Sequence, residues 1–343
     1  MLGLMSLMDA LVAWLALIGL SAIVMIVVVV ALVAMNRALE FKPARVGTSD
    51  AQGTAAAIAI ARRRILICVC GVVAVAVIAS VSGGMLRYGL NLALLPGVAS
   101  CIVAGLAALP YGDRAVENDS RKTGGVRVAS LRTREPWTYT RWYVLIQPIV
   151  VAVLLIGYLT ITACMGTTDG DGAGRSIRLT EENSYGGVVG GESGPFPGVY
   201  YALPLIGITV LLIVLVCVAL RRISHTPAAP GECDGESDRL WRSAMSRFVV
   251  FLSTGSMLAY AAGVLYFAGN ATRLVGTNFD TLPPSYADDV YPTLGALQMV
   301  TGGLLGVLAL VYLAMAVFAV VKLWGGTHAV APAGHAPWKA VAR

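Results

Sequence analysis

The sequence predicts an all-α integral membrane protein, a seven-transmembrane-helix bundle with its N-terminus outside and its C-terminus inside. Three observations predict it. Hydrophobic residues make up 57% of the chain and charged residues only 13%, against about a quarter charged in soluble domains. Apolar runs of about 20 residues recur from end to end, the length that crosses a ~30 Å hydrocarbon core as a helix. Lys and Arg fall almost wholly on alternate sides of these runs. Segments of about ten residues with alternating polarity, the signature of a membrane barrel, are absent from the sequence.

The first predicted span is 11–35, "LVAWLALIGLSAIVMIVVVVALVAM". Spans two (65–82) and three (88–109) share one apolar block, too long for a single crossing and broken at "SVSGGMLR", where Gly83 and Gly84 suit a tight turn. Spans four to six cover 142–164, 199–220 and 248–268. The seventh, 294–321, is long enough to tilt. All belong to a single membrane domain, 1–343.

Orientation follows from the basic residues, which favour the cytoplasmic side. Of 25 Lys and Arg, 21 lie in segments 36–64, 110–141, 221–247 and 322–343. Only Arg87, Arg175, Arg178 and Arg273 lie opposite. The first group therefore marks three cytoplasmic loops and a cytoplasmic tail, and a cytoplasmic (inner) membrane location is expected. The first basic residue, Arg37, follows the first apolar run rather than preceding it. That order argues for an uncleaved anchor and against a secretory signal peptide.

Segment 166–198, "GTTDGDGAGRSIRLTEENSYGGVVGGESGPFPG", then falls outside, between spans four and five. Asp169, Asp171, Glu181, Glu182 and Glu192 make it acidic, and its glycines argue against a packed helix. "GPFPGVYY" leads into span five, with Tyr200 and Tyr201 where amphipathic rings prefer the interface. Spans two, four and six open on "RRRILI", "TRWYVLI" and "SRFVVFL". A weak repeat would produce this likeness, but the charge rule alone explains it more simply.

Small residues recur at every fourth position in span three: Gly89, Ala93, Gly97, Cys101 and Gly105. Span six has Gly255, Ala259 and Gly263, and span seven has Gly302 and Gly306. Such stripes let helix backbones approach closely. They serve packing within the bundle or, as the sharper alternative, a homo-oligomer interface.

The search for chemistry begins with exclusions. His225, His328 and His335 all lie outside the spans, so no embedded haem is held by two histidines. The only lysine near the last span is Lys322 at its end, which leaves no mid-helix Schiff-base position. "GESG" at 191–194 lacks the closing glycine of a nucleophile elbow. "DGDGAG" at 169–174 has Ala173 at a ligand position of a calcium loop and Thr180 where a bidentate Glu is needed. Cys68 and Cys70 do not share a helix face, and only Cys164 reaches the outer side. "ITAC" at 161–164 resembles a lipoprotein attachment box, but cleavage there would split the bundle. Neither a catalytic residue, a metal site nor a cofactor is predicted.

Ion-coupled transporters carry charged residues inside their spans; none is found near mid-membrane. The intramembrane polar candidates are Asn91, Gln147 with Pro148, Tyr158, Tyr260 and Gln298, with Thr160, Ser253, Thr254 and Thr301 beside them. Their plain role is interhelical hydrogen bonding, about 0.6 kcal/mol each. A solute path lined by Gln147, Pro148, Tyr260 and Gln298 is the alternative. Pro148 and Pro204 would kink their helices. In the loops, "RKTGGVRVASLRTREPWTYTR" is basic, with Trp137 and Tyr139 near the membrane, which suits anionic headgroups. "HTPAAPGECDGESDRLWR" mixes signs ahead of span six and reads as flexible. Basic charge of this kind follows from topology, so no nucleic-acid partner is expected.

The pieces "LNLALLPGVAS", "VRVASLRTREPWTYTRW", "GRSI", "GPFPGVYYALPLI" and "ALRRI" resemble a group of polytopic bacterial membrane proteins from GC-rich genomes that carries no assigned activity. The resemblance implies the membrane architecture and no site residues. The function expected is a non-enzymatic accessory, scaffold or sensing component, whose partners are the lipid bilayer and a membrane protein or a second copy of the chain. The alternative is a small-solute permease without a charged coupling residue.

Overall fold

A computed structural model describes residues 66–67, 89–109, 135–168, 174–182, 188–226, 236–278 and 290–325. The first predicted span lies outside the described residues, as does the second apart from Leu66 and Ile67. Loop 36–64, most of 110–141, part of 221–247 and nearly all of tail 322–343 also lie outside them.

Among the described residues the elements run, in chain order, α1 (Leu90–Ala108), α2 (Pro136–Tyr139), α3 (Trp142–Met165), β1 (Ile177–Glu182), β2 (Val188–Ser193), α4 (Val199–His225), α5 (Glu236–Asn278) and α6 (Val290–Gly325). The apolar runs become helices because a helix satisfies its own backbone groups where water is absent. Helices α3 to α6 are each long and apolar enough to cross a membrane, and α1 contains a shorter apolar helix, Ala93–Ala108. Gly89 caps α1 in the left-handed region, φ 78°, where a side chain would be strained. Helices α1, α3 and α4 continue through Pro96, Pro148 and Pro204.

Every other described element touches α5. In its most apolar stretch 67% of residues are buried, against 22% in α3 and α6 and 33% in α4. Helix α5 is therefore the pillar of the bundle. The others bury one stripe on the core and expose another: in α3, Ala152, Leu155 and Leu159 are buried while Ile149, Val153 and Leu154 are exposed. Exposed apolar side chains on that scale fit lipid as the surrounding solvent.

Both C-terminal helices exceed their predicted spans. At about 1.5 Å per residue, the 43 residues of α5 run for ~65 Å, more than twice a hydrocarbon core. Its start, "ESDRLWR", is already helical, where flexibility was expected.

The glycine-rich segment between α3 and α4 departs from the all-helical prediction. Strands β1 and β2 pair antiparallel from Ile177↔Ser193 to Glu182↔Val188. Ile177 and Phe196 are buried against Ala268, Ala271 and Val275 of α5, with Tyr158 of α3 packed alongside. The segment is thus a hairpin seated on the end of α5. Its glycines work at the neck. A Cβ on Gly166 would lie 2.7 Å from Gly198 Cα, and one on Gly198 would fall on the Gly174 carbonyl oxygen.

The α5–α6 seam brings together some of the small residues named from the sequence and not others. Gly263 and Gly105 have no neighbour within 4 Å of a built Cβ among the described residues, and Gly89 lies outside its helix. The closest approach joins Gly269 and Gly295, where a Cβ on either would sit 2.5 Å from the other's carbonyl oxygen. A Cβ on Gly302 would lie 2.9 Å from the Ala262 carbonyl oxygen, and one on Gly255 would lie 3.1 Å from the Leu313 side chain. Gly255, Ala262 and Gly269 on α5, and Gly295, Gly302, Ala309 and Ala316 on α6, recur every seven residues and are all buried. Seven is the repeat of a left-handed supercoiled seam. In α1 the stripe is used in part. A Cβ on Gly97 would lie 3.1 Å from the Ile208 side chain of α4, and Cys101 Sγ lies 3.9 Å from the Ile208 carbonyl oxygen. A Cβ on Gly306 would meet the Ala262 side chain only at ordinary contact distance, 3.8 Å.

Candidate functional site

Where α1, α4 and α5 meet, small hydroxyls form a buried polar layer. Ser100 of α1 pairs with Ser256 of α5, oxygen to oxygen. Thr209 of α4 donates to the Leu205 carbonyl at 2.6 Å, which commits its one proton. Its oxygen, 2.8 Å from the Tyr260 hydroxyl, therefore accepts from Tyr260. Ser256 and Tyr260 are four residues apart on α5 and so share a face. The layer ties three helices through neutral groups that satisfy one another, as burial in an apolar medium requires. It offers neither a charge nor a base.

The remaining polar candidates are dispersed. Asn91 lies in the first turn of α1, with its side chain outside the described residues. Gln147, beside buried Pro148, occupies the second turn of α3. Its Oε1, the Tyr158 hydroxyl, Thr254 Oγ1 and Gln298 Oε1 are buried without a hydrogen-bond partner among the described residues. Gln147 is close to the end of the bundle where α3 begins, whereas Gln298 packs beside Gly269, toward the hairpin. Gln147, Tyr260 and Gln298 thus occupy successive levels rather than one ring. Ser253 and Thr301 bond back to carbonyls of their own helices.

At the end opposite the hairpin, Arg242 of α5 is fully buried, with 0% of its surface exposed. Nη1 donates to the carbonyls of Ile223 at 2.6 Å and Ser224 at 3.0 Å, and Nη2 to that of Thr226 at 2.7 Å. These carbonyls end α4 with no further turn to bond them, at the negative pole of its dipole. The guanidinium also lies 5.4 Å from the Tyr139 ring centre and 5.6 Å from that of Trp241. The short α2, begun by Pro136, is thereby pressed onto the last turn of α4. Arg242 was visible in the sequence only as one cytoplasmic charge among many. Arg141, Arg221, Arg222, Arg239 and Arg247 remain exposed at this end.

Among the described residues, no group of three or more His, Cys, Asp or Glu could hold a metal ion. Cys101, Cys164 and Cys217 are free thiols. Comparison of the chain with protein-family models, curated proteins and solved structures gave no match.

Proposed function

We propose that the chain is a seven-span protein of the cytoplasmic membrane, N-terminus outside and C-terminus inside, acting as a non-enzymatic accessory, scaffold or sensing component. The observation that carries this reading is the hairpin. Its paired strands, anchored by Ile177 and Phe196 on the extension of α5, have their backbone already paired, which lowers the entropic cost of association. The polar layer supports the same reading, because its hydroxyls are engaged between helices rather than turned toward a path.

The test is a native pull-down from the membrane of origin with the tip of the hairpin, 179–191, replaced by a short Gly-Ser linker. Ile177 and Phe196 are kept, so insertion should be preserved while the stoichiometric partner is lost. Association unchanged by the replacement would remove this reading.

A second reading, a small-solute permease, is favoured by the oxygens of Gln147, Tyr158, Thr254 and Gln298 that lack a hydrogen-bond partner among the described residues. Substrate hydrogen bonds would satisfy them. Solute flux in reconstituted vesicles that falls on Gln147→Leu and Gln298→Leu would establish it over the first.

A further inference from the structure

We propose that Arg141, flanked by Trp137 and Trp142, binds the phosphate of an anionic phospholipid headgroup at the start of α3. Trp142 is 70% and Trp137 62% exposed, more than indole normally gives to water. The exposed positions of α3 continue from Trp142 through Ile146, Ile149 and Val153, spaced as one helix face. That face ends at the indole, which places the headgroup level at Trp142, because amphipathic rings settle there. Arg141 stands one residue further out.

Its guanidinium is already positioned. Nη1 donates to the Tyr143 hydroxyl at 2.8 Å, and the group lies 5.8 Å from the Tyr143 ring centre. No carboxylate pairs with it among the described residues, and its other N–H groups are open to a phosphate, whose oxygens match a guanidinium fork. The neighbourhood is also basic. Tyr139, two residues before Arg141, lies over Arg242, and Arg242 holds the last turn of α4, which carries exposed Arg221 and Arg222. Glu135 is half-buried. The charges thus complement a phosphodiester, and the exposed apolar face of α3 complements its acyl chains. This inference holds on either side of the membrane and is independent of the accessory reading.

The experiment uses the full chain in mixed micelles titrated with phosphatidylglycerol or with phosphatidylcholine, and counts bound lipids by native mass spectrometry. The expected result is preferential retention of phosphatidylglycerol, weakened about fivefold by Arg141→Gln, the order expected for one cation at a membrane surface. Arg247→Gln is the charge-matched control. Arg247 lies five residues beyond Arg242, about 140° round α5, and its loss should leave retention unchanged. Equal retention of the two lipids, or equal weakening by both substitutions, would overturn the proposal. Since Arg141 is exposed, neither result can be attributed to a lost fold.

Discussion

Replacing Arg242 by alanine tests the claim that one buried guanidinium closes the end of α4. Three charge-assisted hydrogen bonds, 2.6 to 3.0 Å long, disappear at once. A hydrogen bond to a charged group contributes about 1.5–3 kcal/mol, and a cation at a helix C-terminus adds up to ~2 kcal/mol in partly buried geometry. These contributions overlap, and water entering the vacated space would solvate some of the carbonyls. A loss of about 3–5 kcal/mol is therefore expected, the range seen when one member of a buried charged set is removed. In thermal unfolding of the purified protein, this corresponds to a fall of roughly 4–7 °C. Intrinsic fluorescence is a suitable assay, since Trp241 adjoins the site and its emission should shift to the red as water enters. Arg242→Lys supplies the same charge as a compact point and should recover only part of the loss. A melting midpoint unmoved in Arg242→Ala would refute the reasoning. Full recovery in Arg242→Lys would refute the part that depends on the planar fork.

Two further substitutions test the helix contacts. Gly269→Ala puts a Cβ 2.5 Å from the Gly295 carbonyl oxygen and should destabilise by about 1–3 kcal/mol through overpacking, while Gly263→Ala should be neutral; equal midpoints for the two would contradict the seven-residue seam. Tyr260→Phe removes the bond to Thr209 and should cost about 0.6 kcal/mol and under ~1.7 kcal/mol, because Thr209 keeps the Leu205 carbonyl. A larger loss by chemical denaturation would mean that the hydroxyl has another partner.

What could be read in the sequence divides along physical lines. The positions of α3 and α4 were legible, because lipid imposes length and apolarity on every crossing. The seam was not found by counting in fours. Each step of four turns a helix by 40° past a full circle, so Gly255 and Gly263 already diverge by about 80°. Gly255, Ala262 and Gly269 drift only about 20° per step, and a count in sevens would have found them. The hairpin was hidden because glycine is a poor strand residue; the clue was Ile177, Leu179, Val188 and Val189 set among the glycines. Tyr260 was among the polar positions named from the sequence, whereas Ser100, Ser256 and Thr209 were not, since hydroxyls this small are common in membrane helices. Nothing in the local sequence distinguishes Arg242, which is buried, from Arg239 and Arg247, which are exposed.

Helix α5 joins the two ends of the molecule without a break. From Arg242, which grips α4, to Ala271, which seats the hairpin, is about eight turns or ~44 Å of one helix. An unbroken helix behaves as a strut: a push along its axis at one tip arrives at the other as displacement, with little lost to bending on the way. A load placed on the hairpin is therefore delivered to the three carbonyls that Arg242 holds, and the far end of the bundle is mechanically a part of the hairpin's footing.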